Sequence, residues 1–333
     1  MLLLSAHPDL DRHDTGGRHP ERPARIGAAL EGIDGAGLRD AVVELPPRRA
    51  GPDELVRVHP RRYLDLVEEF CRSGGGALDP DTIVGPGSWD TALLAAGGVL
   101  AAVDALAEGG GEVAFVAARP PGHHALAEQS MGFCMINNIA VGAAALAARG
   151  ERVLIVDFDV HHGNGTQDIF WDDPRVLYIS THEWPLYPGT GRAEETGGVG
   201  APGLTMNIPL PAGATGDVLL KAADDAMAPV VEHFAPTWVL MSAGFDAHRA
   251  DPLARLELTA GDFADLVRRI RAFAPEPGRT VLVLEGGYDL EALRLSVGAA
   301  LSAVLDRRYR PEAASSGGPG GDVVDAVRRI HGR

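Results

Sequence analysis

Short apolar runs punctuate the chain at Leu2–Leu4, Val42–Leu45, Val113–Ala118, Val153–Val156, Val176–Ser180, Met206–Pro209, Trp238–Met241 and Val281–Leu284. Runs this short, rich in β-branched and aliphatic residues and bounded by glycine or polar turns, read as strands buried on both faces. Between them the apolar residues fall at helical spacing. Helices are predicted over Pro23–Glu31, Pro52–Val58, Pro60–Phe70, Trp89–Ala107, Gln167–Trp171, Asp217–Phe234, Ala260–Phe273 and Leu290–Leu305, and Gly132–Asn138 leads into an Ala-rich helix through Ala148. Tyr63, Leu66, Val67 and Phe70, for example, supply one apolar face. Strand and helix alternate throughout, which predicts an α/β fold: a single domain, over 1–310, with a largely parallel sheet and helices on both faces. A glycine-rich linker and a short terminal segment, possible as a surface helix, follow over 311–333.

One stretch keeps its alternation while turning polar: Val153 to Thr166, VLIVDFDVHHGNGT. On a strand, residues two apart share a face, so Asp157, Asp159 and His161 are expected on one side, with Phe158, Val160 and His162 on the other. Gly163 and Gly165 stop the strand. Two buried carboxylates need compensation. A bound cation supplies it most simply; a structural ion pair or hydrogen-bond network is the other reading.

In sheets of this kind, ligands bind beyond the carboxyl ends of the strands. Here apolar strands end in His123-His124, in Asp159 and His161, in Asp246, and in Gly286-Gly287-Tyr288, so one rim gathers all of these groups. Asp159, His161 and Asp246 make a three-ligand set with a coordination position left open, the mark of a catalytic zinc; the donors also admit Fe²⁺ or Mn²⁺. His123 and His124 suit proton transfer near neutral pH. Asp157 can orient one imidazole or help hold a monovalent cation. Tyr288 can donate to a developing oxyanion or simply pack. Together the parts describe a metal-assisted hydrolase. The early histidines His7, His13 and His19 lie in a polar loop and are expected at its surface.

Composition narrows the setting. A net charge of −16 argues against nucleic-acid binding and suits a cationic substrate. Cys71 and Cys134 make no disulfide framework and fit a reducing compartment. The start, MLLLSAHPD, has no basic flank, and no run is expected to approach the roughly 20 apolar residues of a membrane span. No GxxxxGK[ST] phosphate loop occurs. A cytoplasmic location without membrane contact is the expectation.

Five motifs stand in order: PPGHHA (Pro120–Ala125), GFCMINN (Gly132–Asn138), DFDVHHGNGT (Asp157–Thr166), SAGFDAH (Ser242–His248) and EGGY (Glu285–Tyr288). With HPERPAR (His19–Arg25) before them, the chain from about His7 to Leu305 resembles the zinc-dependent histone deacetylase family, including its bacterial deacetylase-like and acetylpolyamine amidohydrolase members. The resemblance implies the arginase/deacetylase fold and Zn²⁺, or Fe²⁺, on Asp159, His161 and Asp246. It implies His124 as general base and acid, His123 as its electrostatic partner paired to Asp157, and Tyr288 on the substrate carbonyl. Phe133 and Tyr187 would flank an acyl-lysine tunnel, with Gly132 and Gly286 against the substrate. A structural K⁺ is implied near Asp157, Asp159, His161, Ser180 and Thr181. Asn164 stands where some members carry an aspartate behind the catalytic histidine; this amide resembles the class II pattern and implies a less basic His124. Leu253 replaces the acidic gatekeeper of one polyamine-specific branch. Acetyl-lysine in proteins or peptides is therefore the expected substrate and acetylated polyamine the alternative, with homo-oligomerisation left open. A two-manganese ureohydrolase would need carboxylates where Gly163 and Gly244 stand, and a non-catalytic relative would be expected to have lost a ligand, His124 or Tyr288.

Overall fold

An apolar strand without a polar face must be covered on both sides, and one eight-stranded sheet organises the chain accordingly. The structure, a computed structural model, describes residues 1–332. Its strands are β1 (Leu2–Ser5), β2 (Val42–Glu44), β3 (Gly76–Ala77), β4 (Ile83–Val84), β5 (Val113–Val116), β6 (Val153–Asp157), β7 (Val176–Glu183), β8 (Thr205–Leu210), β9 (Trp238–Ala243) and β10 (Thr280–Leu284). The large sheet runs β2-β1-β5-β10-β9-β6-β7-β8 and all its pairings are parallel. The hairpin of β3 and β4 stands apart from it; the sequence pattern is too short there to predict strands.

Alternate residues of each strand feed opposite cores. Leu154 and Val156 of β6 join Met241 and Leu282 on one face, while Val153 and Ile155 join Leu240 and Val281 on the other. Helices Ala24–Gly35, Ala260–Arg271 and Leu290–Val304 cover the first face; Arg61–Arg72, Ser88–Ala107 and Asn138–Ala148 cover the second. Against expectation, Ser88–Ala107 is by length and composition apolar enough to cross a membrane. In this fold that apolarity is spent inside, with Ala92, Ala96, Val99 and Val103 fully buried.

Three further differences from the sequence pattern have local causes. The predicted helix over 217–234 forms as Gly216–Lys221 and Ala228–Phe234 joined by a π-helical Ala222–Met227; Pro229, lacking an N–H, removes one rung of the α-helical ladder there. The terminal helix Gly321–His331 is not merely a surface element, since Val324 and Val327 are fully buried in the first core. Most important, β6 ends at Asp157 and does not run on to His161. Asp157 Oδ1 accepts from the Asp159 N–H (3.2 Å), and Asp159 Oδ1 from the His161 N–H (2.9 Å). These carboxylates satisfy the backbone locally, replacing the strand ladder with a turn.

Candidate active site

The carboxyl ends of β5, β6, β9 and β10, neighbours in the middle of the sheet, deliver the chemistry-bearing segments to one place. β6 stops at Asp157, but the alternation runs on past it: Phe158 and Val160 join Leu154 and Val156 in the first core, and Asp157 and Asp159 both reach His123. The His123 Nδ1 lies 3.0 Å from Asp157 Oδ2 and its Nε2 3.9 Å from Asp159 Oδ1.

Asp159, His161 and Asp246 are brought together, with one potential ligand atom from each lying within 4.8 Å of the others. His161 Nδ1 sits 3.1 Å from Asp159 Oδ1 and 3.2 Å from Asp246 Oδ2. Backbone donors fix the remaining carboxylate oxygens: Gly286 N–H on Asp159 Oδ2 (2.8 Å) and Val160 N–H on Asp246 Oδ1 (2.9 Å). Burial, followed by the charge of Asp159, pushes Asp246 up to about 7. Burial works against a charged His161, but the two carboxylates overcome it and push the imidazole up to about 10. The cluster therefore demands positive charge at one point, and its single nitrogen and two carboxylate oxygens fit a small divalent cation. There is no room for a second carboxylate set: a Cβ at Gly244 would lie 2.1 Å from Asp159 Oδ2.

The adjacent histidines are held in opposite ways. Burial favours neutral His123, yet Asp157 and Asp159 outweigh it and push the ring up to about 10. His124 is held well below the ordinary histidine value by burial first and by the charges of His123 and His161 next. Its Nδ1 lies 2.8 Å from Asn164 Oδ1. An amide oxygen only accepts, so Nδ1 carries the proton and the Nε2 lone pair is free.

Gly132 and Phe133 form a wall beside His124. Both have left-handed backbones, with φ of 57° and 71°; for a phenylalanine this is uncommon and costs on the order of 1–3 kcal/mol. A Cβ on Gly132 would lie 2.4 Å from His124 Cδ2, so the bare backbone packs directly on the imidazole. Tyr187, 38% exposed, sets its ring edge-on to His124 with centroids 5.2 Å apart. The Tyr288 ring stands 5.8 Å from that of Phe133. Burial drives the Tyr288 hydroxyl well above its usual range; Arg25 opposes this, and Asp246 and Asp159 add to it. The Tyr288 N–H donates to Asp251 Oδ2 (2.6 Å).

Asp157, Ser180 and Ser242 lie level across β6, β7 and β9. Ser180 Oγ pairs with His182 Nδ1 (2.9 Å). The Thr181 and Ser242 hydroxyls are buried without a hydrogen-bond partner among the described residues.

Several groups escaped the sequence reading. Glu285 Oε2 accepts from the Gly122 and His123 N–H groups (2.6 and 3.1 Å) and so ties the His123-His124 turn to β10. Arg25 donates to the Gly287 carbonyl (2.7 Å) and the Glu285 carbonyl, holding the Tyr288 loop from behind. His13 and His19 are not loop surface. His13 is buried against Ser88 and Glu21, and His19 packs edge-on to Phe133 at 4.7 Å. Only the presence of Glu285 and Arg25 inside motifs hinted at any of this.

Residues 19–304 match the histone deacetylase domain. The chain is 40% identical over 321 residues to a protein of Archaeoglobus fulgidus named "Probable deacetylase", covering 92% of this chain and 89% of that one. It is 40% identical over 274 residues to the "Histone deacetylase-like amidohydrolase" of Pseudomonas aeruginosa, covering 81% and 71% respectively. Among solved structures, the HDA15 HD domain superposes with a TM-score of 0.91 at 33% identity, over 99% of this chain and 94% of that one.

Proposed function

The chain belongs to the histone deacetylase family and has its arginase/deacetylase α/β fold, and from that premise we propose that it is a zinc-dependent amidohydrolase removing acetyl groups from acetyl-lysine side chains in proteins or peptides. Membership makes it an enzyme of amide bonds, acting on an acetylated substrate, in a family that is generally metal-dependent. The observation carrying the finer reading is that the triad Asp159, His161 and Asp246 converges beside a His124 whose tautomer Asn164 already fixes.

Asp159, His161 and Asp246 would hold Zn²⁺, and the donor set also suits Fe²⁺. When bound, the ion supplies Lewis acidity toward the amide carbonyl and toward water. The chain's own groups move the protons. Neutral His124 offers Nε2 as general base to the attacking water and then returns the proton to the leaving amine. His123, charged against Asp157, disfavours protonation of His124 before the reaction begins. Tyr288 donates its hydroxyl proton in a hydrogen bond to the carbonyl oxygen as charge builds there. Phe133 and Tyr187 flank the acyl-lysine stem and exclude water, with the backbones of Gly132 and Gly286 beside it. Asp157, Asp159, His161, Ser180 and Thr181 would hold a structural K⁺, for which the orphaned Thr181 hydroxyl is a suitable oxygen donor.

A second reading, acetylpolyamine hydrolysis, draws support from the mouth. Asp81 Oδ1 accepts from the Gly132 N–H (3.2 Å), and after burial the charges of Asp81 and Asp79 raise the Tyr187 hydroxyl, so acidic groups stand beside the wall that a cationic substrate would pass. Leu253, in place of an acidic gatekeeper, favours lysine. Acetate release by zinc-reconstituted protein from an acetyl-lysine peptide and from acetylspermidine, with metal-free protein as control, separates the two. Metal-dependent release from the peptide is expected; release from the polyamine alone would make the second reading correct.

A further inference from the structure

Two backbone N–H groups in the strained wall are held by side chains from a distant loop. The Gly132 N–H donates to Asp81 Oδ1 (3.2 Å) and the Phe133 N–H to Thr82 Oγ1 (3.1 Å). Both acceptors belong to the short connection leading into β4. That connection is itself braced, because Asp79 Oδ1 accepts from the Asp81 and Thr82 N–H groups (3.1 and 2.6 Å). His19 completes the arrangement, with Nε2 3.1 Å from the Asp81 carbonyl oxygen and its ring against Phe133. On the other side, the Gly132 carbonyl oxygen faces Cys134 Sγ at 3.3 Å.

We propose that Asp81 and Thr82 are positioning residues that clamp the Gly132–Phe133 turn in its left-handed form and thereby set the width of the acyl tunnel and the seat of His124. The proposal rests on the reading of the site as an acyl-lysine hydrolase. Its physical basis is that a phenylalanine at φ 71° persists only where its surroundings over-determine it. Here the two clamped N–H groups belong to the two left-handed residues. Released, Phe133 returns to the common backbone regions and its ring leaves the tunnel wall. Gly132, whose backbone packs on the His124 ring, moves with it. Acetyl transfer to water suffers doubly, through a looser substrate and a displaced base. A longer acyl chain, which the clamped wall would hinder, loses less.

Asp81→Ala and Thr82→Val remove the acceptors, whereas Asp81→Asn and Thr82→Ser retain them. Two readouts apply to the full chain. The first is kcat/KM on matched acetyl-lysine and butyryl-lysine peptides. Asp81→Ala is expected to lower the acetyl value by about 100-fold, the scale of a small misplacement of reacting groups, while the butyryl-to-acetyl ratio rises severalfold; Asp81→Asn and Thr82→Ser restore the wild-type ratio. The second readout is independent of turnover. Met131–Gly132 is the chain's only Met-Gly pair, so carbonyl-¹³C methionine with ¹⁵N glycine yields a single amide signal, that of Gly132. Its hydrogen exchange should quicken by about tenfold in Asp81→Ala, the equivalent of one charge-assisted hydrogen bond. An equal loss on both peptides in Asp81→Ala and Thr82→Val, or a Gly132 amide unmoved in Asp81→Ala, overturns the clamp. Should wild type hydrolyse neither peptide, the reading of the site fails, and the Gly132 amide alone decides whether the clamp exists.

Discussion

The Asp159–His161–Asp246 cluster and the Gly132–Phe133 wall meet at His124, yet they are built on different principles. The cluster is made by the sheet. Asp159, His161 and Asp246 follow central strands, and their carboxylates are pinned by backbone N–H groups of segments that end β6 and β10. The wall is made by the periphery. Phe133 stands in a strained turn that hangs on a side chain from the β4 approach and on His19 from the N-terminal loop. A centre carried by buried parallel strands inherits their rigidity. A wall assembled from loops is adjustable, and it is where substrate selection can change without disturbing the chemistry.

The sharpest way to break this comparison is to remove a sheet-borne ligand. Asp246→Ala should abolish both metal retention and turnover, read as zinc per chain and acetate released; retained stoichiometric zinc would strike Asp246 from the ligand set. Tyr288→Phe should leave metal content and fold intact and lower kcat by about 10²–10³-fold, the scale of one oxyanion donor. Unchanged kcat would return Tyr288 to packing. On the wall, Gly132→Ala places a methyl group 2.4 Å from His124 Cδ2. Its kcat/KM should fall by about 100-fold with the zinc stoichiometry unchanged, and a loss of zinc would mean that wall and cluster are not separable.

The smallest effect concerns stability. Glu285, pushed up from 4.5 to about 7 by burial against the opposing charge of His123, binds its proton more tightly folded than unfolded. A carboxyl raised in this sense loses stability as pH climbs from about 4.5 through 7. Glu285→Gln keeps an oxygen acceptor for the Gly122 and His123 N–H groups. It should remove that loss, on the order of 3 kcal/mol across the window. Thermal midpoints of both proteins between pH 5 and 8 check this: parallel curves would show that Glu285 does not titrate there.

The same contrast explains what was legible in the sequence. Apolar runs located the large sheet's strands, and the rule that ligands gather beyond parallel strand ends assembled His123, His124, Asp159, His161, Asp246 and Tyr288 before any coordinates. The end of β6 at Asp157 was not legible, because carboxylates that accept from their own backbone compete with a ladder, which periodicity does not register. The clamp was invisible for a different reason. Asp81 and Gly132 are 51 residues apart, and neither an Asp in a proline turn nor a glycine before phenylalanine announces the other. The burial of His13 is equally hidden, because its partners, Ser88 and Glu21, come from separate segments. Short-range pattern sees what one strand presents; it does not see which loops meet.

The central claim is that the Asp159–His161–Asp246 cluster, once loaded, hydrolyses an acetyl-lysine amide. Titrating Zn²⁺ into metal-free protein while following acetate release from an acetyl-lysine peptide tests it most directly. The account predicts no release without metal, a rise that saturates at about one equivalent per chain, and no rise in Asp246→Ala. Full turnover by the metal-free protein would contradict it.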